Sequence, residues 1–335
     1  MTELLRQLCC LHGVSGNEDA VRDFIIEKIK DHCRYRVDKM GNIIAYKKGK
    51  KTPENKIMVD AHMDEVGLII THIDDNGFLR FDCVGGIDIS VLLARTVVIN
   101  GTVSGVIGLK PVHLTEKENA KKYPDKDSLY IDIGASSREE AQGKVQPGDF
   151  AVLDSEFVLN GDTLKAKAID DRAGCAVLIK LLWEDADYDF TATFTVQEEL
   201  GCRGARVATF AANPDVAIVL EATTAADIAG VADEKKVCLL GNGPAVSFMD
   251  KSTLYNRTLY NYALNGPVKC QPKAMVSGGN NSGAVHLSRE GVRTMAISAP
   301  CRYIHSPSCV ANINDINGMY DLAKQMIMAV GNGEV

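Results

Sequence analysis

The chain has 335 residues, with 37 Lys plus Arg against 44 Asp plus Glu, a net charge of −7, and 46% hydrophobic and 24% charged residues. That length covers about two average domains, and the apolar content excludes a chain disordered throughout. A mildly acidic balance without a long basic run argues against a nucleic-acid partner, and no apolar run reaches the roughly 18 residues a membrane span needs.

From the N-terminus, Ser15 followed by Glu18 is a capping-box pattern. It predicts a helix of about fifteen residues. Its apolar positions Val21, Phe24, Ile25 and Ile29 recur at helical spacing. A hairpin is predicted over 34–46 around Gly41-Asn42, then a buried strand at Ile57-Met58-Val59. Beyond residue 66 the texture changes to short alternating runs separated by turn signals. Val98-Ile99-Asn100-Gly101-Thr102 carries the Asn-Gly pair of a type I′ hairpin. Strands at this spacing predict a small β-barrel or sandwich. The charged stretch 116–126 reads as a solvated loop, and Ser137 as the cap of a short helix ending at Gln142.

The α/β texture returns near residue 162. A mostly apolar helix is predicted from Asp171 to Trp183, strands at Thr191–Val196, Val216–Leu220 and Thr294–Ser298, and a terminal helix from Leu322 to Val330. The simplest architecture is α/β: one domain made of 1–66 and 162–335, with a β-rich insert at 67–161. The ten cysteines include no Cys-x-x-Cys pair and many sit in apolar runs. They read as small buried hydrophobes of a reducing cytoplasm.

Chemistry gathers where the apolar strands end. Ile57-Met58-Val59 runs into Asp60-Ala61-His62-Met63-Asp64-Glu65, Phe194-Thr195-Val196 into Gln197-Glu198-Glu199, and Val219-Leu220 into Glu221. Met295–Pro300 runs into Cys301-Arg302-Tyr303-Ile304-His305, while Asp170-Asp171 opens the apolar helix. Ligands of open α/β sheets bind beyond the carboxyl ends of the strands. Acids converging there must protonate or draw in a cation. Two imidazoles and three carboxylates suit zinc, cobalt or manganese and argue against a thiolate site. Taken singly, His62 reads as a surface or core histidine, Glu198-Glu199 as a solvated turn and Asp171 as a helix cap.

Together, His62-Met63-Asp64-Glu65-Val66-Gly67, Ala168-Ile169-Asp170-Asp171-Arg172, Gln197-Glu198-Glu199-Leu200-Gly201 and Ile304-His305-Ser306-Pro307 resemble the tetrahedral aminopeptidases. These are the glutamyl and deblocking aminopeptidases, some once labelled cellulase M. The resemblance spans almost the whole chain. It implies a mixed-sheet, zinc-peptidase-like catalytic domain with an inserted β-barrel dimerisation domain. It also implies two divalent metal ions per subunit, one held by His62, Asp170 and Glu221 and the other by Asp170, Glu199 and His305. Asp64 would orient the His62 ring, Glu198 would be the general base, and the Asp170-Asp171 peptide would be cis. Peptides trimmed from the N-terminus would be the substrates, and the assembly a homo-oligomer between dimer and dodecamer. The chain departs from the family at Glu221, where members usually carry Asp, and at Asn281, where they carry an acid.

Three rival readings remain on residues alone. Glycoside hydrolysis by Glu198 and Glu199 conflicts with their adjacency, because neighbours on an extended segment point apart while glycosidases need carboxyls flanking one bond. A silent metal-binding subunit would rest on Glu221 and Asn281. A carboxypeptidase or deacylase would need a cationic pocket, for which Arg203 and Arg302 are the nearest candidates.

Overall fold

The computed structural model describes residues 1–114 and 124–335, so most of the charged stretch 116–126 lies outside the described residues. Four parallel strands form the middle of the main sheet, in the order Phe190–Thr195, Ile57–His62, Val216–Thr224 and Arg293–Arg302. Antiparallel pairs extend both flanks: Ile43–Lys47 and Arg34–Val37 on one side, Cys309–Asn312, Thr163–Ala166 and Val158–Asn160 on the other. The result is a mixed sheet. Its central strands are buried on both faces, as continuous apolar runs require.

The helix Ile169–Trp183 shows no polar stripe and is buried on nearly every side. The terminal helix Ile313–Gly331 begins nine positions before the predicted start. Asn312 caps it by accepting the Asn314 N–H at 2.8 Å, and Ile313, Ile316, Met319 and Tyr320 are its buried turns. The Asn and Gly residues of this stretch hide its helical periodicity in the sequence.

The hairpin over 34–46 forms as predicted, Arg34 pairing with Tyr46 and Val37 with Ile43. Six strands between Gly67 and Leu153 close into a barrel around Leu68, Ile70, Ile99, Ile107 and Ile131. Its Val97–Val103 hairpin turns through Asn100 and Gly101, both at positive φ, as type I′ demands. Ser137 caps the helix Arg138–Gln142 through the Glu140 N–H. Among the described residues all ten cysteines are free thiols.

One local expectation fails. The first-domain helix runs only from Asp19 to Ile29, and Ser15 caps nothing. Its hydroxyl donates instead to Asp64 at 2.6 Å, and Glu18 accepts the N–H groups of Gly16 and Gln197. Long-range partners outcompete the local capping box.

A buried ion network ties the N-terminal segment to the sheet. The Glu65 carboxylate accepts Lys167 Nζ at 2.7 and 2.8 Å, an Arg172 nitrogen at 3.3 Å and the Gly13 N–H at 3.1 Å. Arg172 is fully buried and also donates to the carbonyls of Leu8 and Met63. Removing the shared carboxylate strands two buried cations, and breaking such a pair costs about 3–5 kcal/mol. Glu65→Ala is therefore expected to lower unfolding stability by about that amount in urea titration. A loss below about 1 kcal/mol, the scale of exposed pairs, would show that the network is not what fastens this segment.

Candidate active site

The parallel strands bring their carboxyl ends to one rim, where the sequence-predicted residues meet. His62 ends its strand with its ring 1% exposed. Its Nε2 lies 3.3 Å from Asp170 Oδ1 and 3.3 Å from Glu221 Oε1. The other Asp170 oxygen faces His305 Nε2 at 3.4 Å, and Glu199 Oε2 lies 3.2 Å from that same nitrogen. Asp170 thus divides its two oxygens between two imidazoles. All seven predicted residues gather here, with Asp64 and Glu198 beside the other five. Glu221 sits inside the strand Val216–Thr224 rather than at its end.

The backbone fixes each group. Asp170 and Asp171 open their helix with non-helical dihedrals, and the peptide between them is cis. Asp64 is fully buried and accepts the N–H groups of Glu198 at 2.9 Å and Glu199 at 3.1 Å. It thereby holds both glutamates as well as standing 3.4 Å from His62 Nδ1. That nitrogen also meets the Asp64 carbonyl at 3.1 Å, and His305 Nδ1 meets the Gly86 carbonyl at 2.7 Å. With oxygen acceptors on both Nδ1 atoms, those nitrogens keep their protons, and each Nε2 is the atom aimed at the carboxylates, where a cation would compete with its proton.

Four further residues support the site through contacts that sequence reading does not show. Gly85 and Gly86 come from the barrel, and a Cβ at Gly85 would press within 3.2 Å of Glu199 Cβ. Asp171 accepts the His62 N–H at 3.3 Å and the Gly174 N–H at 2.8 Å, so its cap role extends to His62. The Cys202 thiol lies 3.5 Å from Glu198 Oε1. Asn281 turns away from the cleft and donates to Asp60 at 2.8 Å and Thr195 at 2.9 Å.

The electrostatics are those of crowded charge in a dry place. Burial disfavours charge on His62, but Glu221, Asp170 and Asp64 outweigh it and raise the pKa well above the ordinary value. Burial opposes His305 as well, yet Asp170 and Glu199 push it up to about 11. Asp170 is held down despite its burial by the two imidazoles. Glu198 is pushed up to about 8, first by burial and then by Glu199 and Asp170. Glu199 and Glu221 are raised too, chiefly by burial.

This donor set fits divalent cations. Glu199 Oε1 and Glu221 Oε2 are buried without a hydrogen-bond partner among the described residues. Buried carboxylate oxygens are costly to leave unpaired, and a cation answers both. Donor atoms of His62, Asp170 and Glu199 lie within 4.8 Å of one another, as do those of His62, Asp171 and Glu221. In the second group Asp171 already spends both oxygens on backbone N–H groups, which leaves Asp170 as the better ligand. A cleft of about 660 Å³ opens onto Asp170, Glu198, Glu199, Glu221 and His305. Among the described residues no helix is long and apolar enough to cross a membrane.

A mixed sheet carrying imidazoles and carboxylates at one rim, with a β-barrel inserted, has the layout of a metal-dependent hydrolase. The chain belongs to the M42 glutamyl aminopeptidase family, whose model matches residues 41–322. It is 40% identical to a putative aminopeptidase of Acetivibrio thermocellus, covering 98% of each chain. It is 34% identical to the lysyl aminopeptidase of Pyrococcus furiosus, over 97% of this chain and 96% of the other. The TET1 peptidase of Pyrococcus horikoshii, described as assembling into a tetrahedron or a large octahedral shell, superposes with a TM-score of 0.84 at 33% identity. That match covers 96% of this chain and 97% of the other. The chain is accordingly a peptide hydrolase of aminopeptidase type.

His305 provides a pH test. Its folded value, about 11, stands above the reference 6.5. Its ion pairs therefore stabilise the metal-free protein fully below pH 6.5 and fade as the pH climbs toward 11. A cation competing for the same lone pair gains affinity over that window. Calorimetric titration of zinc into chelator-stripped protein is expected to show tighter binding as pH rises, with proton release. An affinity independent of pH would remove His305 from the donor set.

Proposed function

We propose that this chain removes N-terminal residues from peptides with two divalent cations per subunit and Glu198 as general base. The division of the Asp170 carboxylate between His62 and His305 carries this reading, because one bridging acid between two imidazole-acid sets is what a cation pair requires. His62, Asp170 and Glu221 would hold one ion, and Asp170, Glu199 and His305 the other. Zinc, cobalt and manganese all suit such nitrogen and oxygen donors. Such ions supply Lewis acidity toward the scissile carbonyl and acidify water from 15.7 to about 7.

Within that frame Asp64 keeps the His62 ring in its tautomer and pins the 198–199 backbone. Glu198 faces the cleft with a raised proton affinity. It takes a proton from the attacking water and returns it to the leaving amine, a task worth about 10²–10⁴-fold. The carboxylates of the floor, Glu221 among them, receive the substrate's free ammonium group, which restricts cleavage to the chain end. The segment 67–161 is read as the dimerisation module, and Gly86 ties it to His305. Relatives support a homo-oligomer between dimer and dodecamer. Ten free thiols support a reducing cytoplasm.

Glu198→Gln is expected to keep both metals by elemental analysis and to lose about 10²–10⁴-fold in kcat on aminoacyl-anilides. Glu199→Gln is expected to lose metal as well, since His305 and Asp170 would keep a neutral amide in place of their third donor. Full turnover by metal-loaded Glu198→Gln would remove Glu198 from the mechanism.

A further inference from the structure

The end of the sheet opposite the acidic rim carries a second cavity. It holds about 340 Å³, within the usual span of small-molecule pockets, and lies where the strands start and the helix Arg203–Ala212 ends. Register explains its lining. Arg34 pairs with Tyr46, Tyr46 with Thr191 and Thr191 with Met58, so these residues stand in one row on one face of the sheet. Met58 shows which face, because it packs in one apolar cluster with Ala205 and Ala212 of that helix. The helix covers Met58 and stops, which leaves Arg34, Tyr46 and Thr191 open to the cavity. Lys56 enters it from two positions before Met58. Three strand spacings of about 4.8 Å put the Arg34 and Lys56 backbones roughly 14–16 Å apart, a gap that two long cationic side chains close around one small ligand.

The side chains here are donors with almost no free acceptor. Asp189 is the acid of the lining, and it is spent: it accepts Lys48 Nζ at 2.7 Å, the Thr52 hydroxyl at 2.8 Å and the Gly49 N–H at 2.7 Å. Arg34, Lys56 and the Thr191 hydroxyl have no side-chain partner among the described residues. The Tyr46 oxygen accepts Arg36 Nε at 3.4 Å, which leaves its own proton to give. The negative pole of the helix is answered elsewhere, since Arg289 donates twice to the Phe210 carbonyl, at 2.8 and 2.6 Å. A ligand made of acceptors and carrying two negative charges complements such a lining, and the planar fork of Arg34 matches phosphate oxygens in pairs. Beside the cations, the Tyr46 ring, Pro53, Ile57 and Pro214 offer apolar surface to an aromatic body.

We propose that this cavity binds a phosphate monoester of a compact aromatic group, with the phosphate between Arg34 and Lys56 and the ring against Tyr46. The site goes beyond the peptidase reading and shares no residue with the cleft. Ile57 at the cavity and His62 at the rim are the two ends of one strand, about 17 Å apart.

Four compounds separate the parts of this ligand: AMP carries phosphate and ring, adenosine the ring alone, glycerol 3-phosphate the phosphate on an aliphatic body, and inorganic phosphate neither body. Calorimetric titration of the metal-loaded protein is expected to give AMP a Kd below about 1 mM, about 10-fold tighter than any of the other three. Arg34→Met is expected to weaken AMP about 10-fold and Lys56→Met about 3-fold. Both positions are exposed, so neither change threatens the fold, and both variants are expected to keep aminoacyl-anilide turnover unchanged. Phosphate is also a ligand for metal centres. AMP held at the rim would inhibit turnover and bind both variants as it binds the unmutated chain, and that result overturns the proposal. So does AMP binding no tighter than inorganic phosphate, which would reduce the cavity to an unspecific anion contact, or no tighter than adenosine. The binding measurement needs no turnover, so a protein inert on every anilide would sink the aminopeptidase reading and leave this site to stand or fall by the titration.

Discussion

Like charge confined to a small dry volume is the constraint that organises this protein. Asp64, Asp170, Asp171, Glu198, Glu199 and Glu221 share one rim, all of them buried or nearly so. Each is answered differently. Asp64 and Asp171 spend their oxygens on backbone N–H groups, which help hold the Asp64 carboxyl low, while burial and Asp170 keep the Asp171 carboxyl well above its ordinary range. Asp170 takes two imidazoles. Glu199 and Glu221 are left with an oxygen each that nothing among the described residues satisfies. That remainder, rather than the number of acids, is what points to cations. Two buried carboxylate oxygens left unpaired at one rim mark the place where a cation fits.

The same constraint explains which parts of the site are legible in sequence. A side chain placed at the end of an apolar strand is visible because the strand's direction is visible, and parallel strands share an exit. His62, Glu198, Glu199 and His305 follow from that rule. Glu221 is found for a related reason, although its strand continues to Thr224. The groups that hold these residues are not visible, because their contacts bridge large sequence separations. Ser15 and Glu18 carry a strong local signal for a capping box, yet their oxygens serve Asp64 and Gln197. Local propensity is worth about 1 kcal/mol at a cap. A buried carboxylate such as Asp64 has more to gain from a hydroxyl donor. Gly85 and Gly86 read as a turn, and only the closure of the barrel shows that they support Glu199 and His305.

The fold divides in the same way. The helix Ile169–Trp183, the hairpin over 34–46 and the Asn100-Gly101 turn are each fixed by neighbours in sequence, and each appears as expected. The sheet order is not local, nor is the closing pair of the barrel, Ala151 to Ile99 and Leu68. The pattern of short strands leaves barrel and sandwich equivalent. Closure is decided by whether the first and last strands meet.

Asn281 illustrates how a departure from a family pattern acquires a physical meaning. From the chain alone it looks like an acid lost from the substrate site. In the structure its amide lies beneath the sheet, 2.8 Å from the Asp60 carboxylate, which also accepts the Thr193 hydroxyl. Burial already pushes Asp60 up to about 6 against the donors that lower it. An acid at position 281 would set a second buried carboxyl against the first, and one of the two would have to remain protonated. An amide supplies a donor without a charge. Asn281 therefore quiets the layer under His62 rather than altering the cleft, and differences in substrate choice belong to the residues that line the cleft itself.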